Sequence, residues 1–326
     1  MTAVVGIDLG GTNIRLAAWP DATALASQPV PAPAATRREE VGSERAPEAL
    51  VDRLAGLIDG VLDEAGIDST GVPVGVGIAA MLRGTDGTVA NSPHLGWRDV
   101  PFGALLRERL GGQRHVRVAN DVDAITYGEW RAGAGMGTND ILGVFVGTGI
   151  GAGIIAAGRL LSGAFGCAAE LGHVKVTTGD DARPCACGLR GCVEAYVGGA
   201  YLQRRARAEL AGGAHSLAER LAGSVDAVTP GHLDAAALEG DDYALDLYAE
   251  VAPLLGVVLA NAVTVLDPAR LILGGGMLSR TPVLRAHVMA AFDIAVNPPA
   301  AAELEVLDAA LGDDAGLVGS ALLAAN

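Results

Sequence analysis

Residues 4–19 read VVGIDLGGTNIRLAAW. An apolar run, Val4–Leu9, meets a Gly-Gly-Thr-Asn turn and returns as Ile14–Trp19. Two apolar runs around so short a turn predict a β-hairpin. Without Cβ atoms, Gly10 and Gly11 let backbone N–H groups come close to an anion. Thr12 and Asn13 add side-chain donors. Asp8 can hold a hydrated Mg²⁺, which keeps most of its waters and takes one or two carboxylates. Read alone, the segment fits a plain hairpin turn equally well. It is not a P-loop, which ends in Gly-Lys-Ser/Thr.

The same pattern recurs downstream. Ile141–Val146 runs into GTGIGAG, and Ile154–Ala157 follows. Gly147, Thr148 and Gly149 are a second set of candidate phosphate contacts. No helix follows this turn, which argues against a dinucleotide fingerprint. Two Gly-rich hairpins at corresponding places predict two related lobes. Between them, 31–46 reads as a surface loop rich in Pro, Ala and charge. Pro47 opens a helix carrying Leu50, Leu54, Leu57 and Val61 on one face. Val72–Ala79 is a buried strand, 84–93 a loop, 101–110 a helix, His115–Ala119 a strand and Ala124–Arg131 a helix. Residues 195–265 read as helical, with a core face of Leu245, Tyr248, Ala252, Leu255 and Leu259 and a kink at Pro253. Leu271–Leu273 is a strand ending in Gly274-Gly275-Gly276. Leu304–Leu307 is another strand, and 314–325 a closing helix. The expected division is a small lobe, 1–122, joined by the helix at 312–326, and a large lobe, 123–311.

Asn120-Asp121 follows a buried strand and precedes a helix. A carboxylate there sits where ligands bind in open α/β sheets. On its own the pair reads slightly better as a helix N-cap; the two phosphate loops shift the choice toward a catalytic base.

Residues 170–194 read ELGHVKVTTGDDARPCACGLRGCVE. Of the chain's four cysteines, Cys185, Cys187 and Cys192 lie here, and His173 completes a Cys₃His set. Free thiols rarely group this way, and the composition suits tetrahedral Zn²⁺. Gly188 and Gly191 permit the tight knuckle that Cys-Ala-Cys needs. Cys167 stands apart and is expected to be buried as a small hydrophobe. Glu170 and Glu194 bracket the expected zinc-bearing loop, 173–192. Taken singly they fit two solvated carboxylates; fixed by a metal, they can face one pocket with His173.

Bulk properties narrow the partners. The chain has 326 residues and a formal net charge of -15, from 38 acidic and 23 basic residues. Nucleic acid and anionic membrane are poor partners for such a surface. No uninterrupted apolar run reaches the ~18 residues of a membrane span. No signal-type n-region precedes the first strand. A cytoplasmic protein is expected.

DLGGTNIR, the Asn-Asp pair, GTGIGAG, ExGH and CxCGxxGCxE, in that order, resemble the ROK family of sugar kinases and repressors. LILGGGM and DAGLVGSALLA extend the resemblance to essentially the whole chain. SPHLGWRDVPF and FGCAAELGH bring it nearest to the family's ATP-dependent glucokinase branch. The resemblance implies an α/β, actin-like (ribonuclease H-like) fold of two lobes with a cleft between them. It implies ATP with Mg²⁺ as phosphoryl donor, structural Zn²⁺, and a hexose as acceptor, glucose first. An N-acetylhexosamine, mannose or fructose kinase, or a sugar-sensing repressor, are the alternatives. A homodimer or homotetramer is implied as well. By matching position Asp121 is the general base, and Asn120, Glu170, His173 and Glu194 hold the other hydroxyls. Gly10, Gly11, Thr12, Gly147, Thr148 and Gly149 line the phosphates, and Gly274 and Gly275 the adenosine. Departures fall at GIAAM (77–81), where a GIPG-like turn is common, at His94 for a frequent Asn, at Ala169 for a common Gly, and at Ile125.

Overall fold

The computed structural model describes residues 2–326. In chain order the elements are β1 (Val4–Leu9), β2 (Asn13–Trp19), β3 (Ala35–Glu40), α1 (Pro47–Ala65), β4 (Val74–Ile78), β5 (Met81–Arg83), β6 (Thr88–Ser92), β7 (Trp97–Val100), α2 (Phe102–Arg109), β8 (Val116–Asn120) and α3 (Asp121–Ala132). There follow β9 (Ile141–Val146), β10 (Ile150–Ala156), β11 (Arg159–Leu160), α4 (Glu194–Val197), α5 (Gly199–Ala211), α6 (Leu217–Ala222), α7 (Pro230–Leu238) and α8 (Asp242–Leu266). The chain closes with β12 (Arg270–Gly274), α9 (Pro282–Ala295), α10 (Pro298–Glu303), β13 (Glu305–Asp308) and α11 (Ala315–Ala324).

Contacts divide the chain into two units. One holds the chain through Ile141, Gly153–Ala169 and Ala309–Asn326; the other holds Leu142–Ala152 and Glu170–Asp308. Sequence patterning had put residues from 123 onward in the second lobe. In the structure α3 lies in the first unit, packed on α11.

In the first unit the sheet order is β3-β2-β1-β4-β8. β1, β4 and β8 run parallel, and β2 and β3 are antiparallel. The parallel strands are apolar on both faces, as burial on both sides requires. On one side lies α1. Pro47 fits its first position because that residue's N–H needs no partner. Leu50, Leu54, Ile58 and Val61 recur at helical spacing and are fully or almost fully buried. Each such side chain contributes about 1.5–3 kcal/mol by leaving water. On the other side lies α11, every residue of which is buried. It approaches the sheet so closely that a Cβ at Gly6 or Gly75 would strike the helix backbone at Leu317 or Ser320. Glycine is needed there for room.

Segment 31–46, read as a loop, contains the edge strand β3. Its sequence ATRREE alternates between half-buried and exposed. A charged edge strand escapes an apolar-pattern search, and charge is how exposed edges are protected from mispairing. Likewise 84–93 lies within a small antiparallel sheet, β5-β6-β7. Its strands are too short and too polar to announce themselves.

The second sheet has the order β11-β10-β9-β12-β13. Within the second unit α8 is the central helix, with Leu247, Tyr248, Val251, Leu255 and Leu259 buried. It runs unbroken through Pro253. This is also the one helix, among the described residues, long and apolar enough to cross a membrane. It packs on α9 and α7 as a core helix. Cys167, expected to be buried, is exposed. Its thiol lies 3.9 Å from the Leu82 carbonyl, on a Gly-rich loop with no apolar cover.

Candidate active site

The first half-site forms where the parallel strands of the first unit end. Leu9 is in register with Ile78, and Ile78 with Asn120. The Gly10–Asn13 turn and the Asn120-Asp121 pair therefore leave the same edge of the sheet, two strand spacings, or roughly 10 Å, apart. This is the edge where open α/β sheets bind ligands.

Around the first turn lies a polar pocket of about 390 Å³, lined by Asp8, Gly10, Gly11, Thr12, Asn13, Arg15 and Arg38 among others. The arginines were not singled out from sequence. Arg15 on β2 and Arg38 on β3 are register partners across the hairpin. Arg38 was hidden in the segment read as loop. Their alternation with outward residues is the signal that could have found them. They bring two guanidiniums to the turn, against the carboxylates of Asp8 and Asp313 in the same lining. Arg15 Nη2 and Nε donate to Asp8 Oδ2 at 2.8 and 3.1 Å. Arg15 also donates to the Asp313 carbonyl. Asp8 is thus oriented by Arg15 through one oxygen.

Asn120 is the N-cap of α3. Its Oδ1 accepts from Val122 N at 2.8 Å and Asp123 N at 3.2 Å. Its Nδ2 donates to the Ala80 carbonyl at 3.1 Å. The capping role is thus Asn120's, and Asp121 begins the helix. Helix N–H groups and the helix dipole favour negative charge at such a position. Asp121 Oδ1 lies 3.0 Å from Val122 N.

The second half-site belongs to the second unit. The turn at Gly147–Gly149 is held from behind by α5. Gly199 N donates to Gly147 O at 3.0 Å, and Ala200 N to Thr148 O at 2.9 Å. Gly275 follows β12 with φ +91°, a conformation that only glycine takes freely. A Cβ there would also collide with the Val146 backbone. Met277 N donates to Val146 O at 3.1 Å, so the 274–277 turn is seated on the start of the 147–149 turn.

The cysteine knuckle belongs to the second unit as well. The candidate ligand atoms of His173, Cys185, Cys187 and Cys192 lie within 4.8 Å of one another. Around tetrahedral Zn²⁺, with Zn–S bonds of ~2.3 Å, two thiolates stand roughly 3.7–3.8 Å apart. The Cys187 and Cys192 sulfurs are 3.7 Å apart, and Cys185 Sγ is 3.7 Å from His173 Nδ1. Lys175 Nζ lies 2.8 Å from Cys192 Sγ. An ammonium at that distance balances the net negative charge of three thiolates on one divalent ion, and the hydrogen bond to Cys192 raises the Lys175 pKa. The residues therefore fit structural zinc. Burial pushes the Cys185 thiol up to about 12. Without a metal it stays protonated at neutral pH, and a metal must displace that proton. The knuckle is braced by two tyrosines: Ala186 N donates to Tyr201 Oη at 2.7 Å, and Arg183 N to Tyr196 Oη at 3.1 Å.

Since His173 Nδ1 faces the sulfurs, its Nε2 points the other way, 3.8 Å from Glu170 Oε2. Burial raises the pKa of Glu170; His173 opposes that shift and Glu194 adds to it. The residue before it, Ala169, has φ +62°. Glu194 Oε2 accepts from Ile150 N at 2.8 Å, and Oε1 lies 4.0 Å from Cys185 Sγ. Glu170, His173 and Glu194 are thus brought together with the metal cluster, and Glu194 ties that cluster to the second Gly-rich turn. Neither carboxylate is one of the freely solvated side chains that each could have been when read singly.

The first unit thus carries a Gly-rich turn and a carboxylate at one sheet edge, and the second a Gly-rich turn and a carboxylate–imidazole group beside a Cys₃His cluster, all in an α/β fold. The ROK family model matches residues 4–326, and the chain belongs to the ROK family. The glucokinase of Streptomyces coelicolor is 33% identical, over 99% of this chain and 98% of its own. A ROK family glucokinase from Streptomyces griseus, solved in complex with glucose and AMPPNP, is 32% identical, with a TM-score of 0.78 and 99% of each chain covered. The ROK hexokinase of Thermus thermophilus is 28% identical, with a TM-score of 0.81, over 99% of this chain and 98% of that one. The fold is the mixed α/β, two-lobe, actin-like fold of the ROK hexokinases.

Proposed function

We propose that this protein is an ATP-dependent hexose kinase, with glucose as the preferred acceptor and glucose 6-phosphate as the product. The observation that carries the proposal is the full-length similarity to glucokinases, one of them solved with glucose and a nucleotide analogue. The local chemistry supports it. Phosphoryl transfer is mainly a matter of positioning and charge stabilisation. Backbone N–H groups at Gly10–Thr12 and Gly147–Gly149 bind the phosphates, and Arg15 and Arg38 offset their charge. Gly274 and Gly275 border the adenosine. Asp8 Oδ1 is the oxygen left to orient waters of a hydrated Mg²⁺, since Arg15 holds Oδ2.

On the acceptor side, Asp121 removes the proton from the attacking sugar hydroxyl. Asn120 fixes the start of α3, so that Asp121 is aimed by the helix it begins. Glu170, His173 and Glu194 read the remaining hydroxyls as acceptors and donors. Zinc, when bound through His173, Cys185, Cys187 and Cys192, supplies a rigid loop and takes no part in the chemistry. A coupled assay with glucose, ATP and Mg²⁺ tests the reading. Formation of glucose 6-phosphate is expected. If the zinc-loaded chain phosphorylates none of glucose, mannose, fructose, N-acetylglucosamine or N-acetylmannosamine, the assignment fails.

A further inference from the structure

Apart from the residues at the first Gly-rich turn, the first unit carries a concave pocket of about 430 Å³ that the proposed reaction does not use. Three arginines converge on it from separate elements: Arg117 on the edge strand β8, Arg131 in the last turn of α3, and Arg159 at the start of β11. His115, Tyr127 and Trp130 complete the polar and aromatic lining. Among the described residues none of the three arginines is ion-paired with a carboxylate, although the chain carries 38 acidic residues. Arg131 is held in place. Its guanidinium stacks 5.3 Å from the Trp130 ring centroid and 5.9 Å from that of Tyr127, and Nη1 donates to Tyr127 Oη at 3.2 Å. His115 Nδ1 donates to the Ala324 carbonyl at 3.2 Å, which turns Nε2 away from that bond. Asn326 Nδ2 donates to the same Tyr127 hydroxyl.

We infer that this pocket is a second anion site, for a small phosphate- or diphosphate-bearing molecule. Like charges gathered in one concavity without counter-charge repel one another, and an anion relieves that repulsion. Guanidinium forks suit phosphate oxygens, which they bind through paired N–H groups. Stacking on two rings fixes one fork before any ligand arrives, and this lowers the entropic cost of binding. A volume of about 430 Å³ is of the size that suits a small phosphate-bearing molecule. The site lies wholly within the first unit, on α3, β8 and the β10–β11 turn. Since α3 also begins with Asp121, a ligand at its far end touches the element that carries the proposed base.

The test is a calorimetric titration of the full chain with inorganic pyrophosphate, without nucleotide. Wild type should show a binding step that Arg117→Ala/Arg159→Ala weakens at least tenfold. Arg38→Ala, at the separate pocket near Gly10, should leave that step in place. Superimposable titrations for wild type and the double variant would overturn the proposal. So would a step abolished by Arg38→Ala alone. Should the double variant fold poorly, wild type modified with phenylglyoxal provides the second readout. Pyrophosphate should protect the peptides carrying Arg117 and Arg159, and equal modification with and without it refutes the site. If the double substitution changes oligomeric state and not pyrophosphate binding, the face serves a second copy of the chain instead.

Discussion

Glu194 Oε2 accepts the backbone N–H of Ile150 at 2.8 Å, and so joins the metal-bearing segment to the turn at Gly147–Gly149. If the protein is the proposed hexose kinase, this one carboxylate would serve both substrates. Glu194→Ala should raise KM for both sugar and ATP. A hydrogen bond to a charged group is worth about 1.5–3 kcal/mol, or roughly ten- to a hundredfold. Glu194→Gln keeps an acceptor for Ile150 and should spare KM for ATP while weakening the sugar. Equal loss of both in the Gln variant would contradict this division of labour.

Asp121→Ala should lower kcat by about 10²–10⁴, the range for a general base. Glucose binding, measured by calorimetry, should remain. A loss below about tenfold assigns the proton to another group.

Zinc retention should depend on pH in a stated direction. Burial holds the metal-free Cys185 thiol at about 12. At neutral pH the metal must therefore expel a proton, and its hold strengthens as pH rises. A chromophoric chelator should extract more zinc at pH 6 than at pH 8. Cys187→Ser should reduce both zinc content and sugar affinity. Wild type free of stoichiometric zinc by elemental analysis would remove the site.

Ala169 occupies a left-handed conformation at φ +62°. A side chain with a Cβ is strained there, and glycine is not. Ala169→Gly should stabilise the protein by about 0.5–1 kcal/mol, after allowance for glycine's freer unfolded chain. The readout is the urea midpoint at unchanged slope. A fall in stability would show that neighbouring packing outweighs the strain.

Glu129 is fully buried on α3 and accepts from Ala134 N at 2.9 Å, Ala310 N at 3.0 Å and Leu311 N at 2.8 Å. It pins the segment leading into α11. Glu129→Ala strands those donors, each at about 1–3 kcal/mol. The expected result is a loss of several kcal/mol, seen as a lower urea midpoint. A change under about 1 kcal/mol would mean that water replaces the carboxylate.

The strands before the Gly-rich turns, the amphipathic α1, the central α8 and the Cys₃His set were legible because each is a local pattern of apolar period, glycine or ligand spacing. β3 and the β5–β7 sheet were not, since their pairing depends on partners distant in sequence. Arg15 and Arg38 became a pair only through that register. That Asn120 rather than Asp121 caps α3 needed coordinates, because either residue type can cap a helix. Glu129 gave no signal at all: its three donors come from residues 134, 310 and 311.

The helix that completes the first unit, α11, is made after every other element of that unit. Until α11 emerges, the groove over Gly6 and Gly75 lies open, and one side of the sheet that carries the first Gly-rich turn stays wet. The first unit thus begins before the second and is completed after it. Nascent chains halted before residue 315 should be open to protease through this sheet while α7–α9 are already shielded. Left half-built while everything from β2 to β13 is made, that face gives a chaperone a long opportunity to bind.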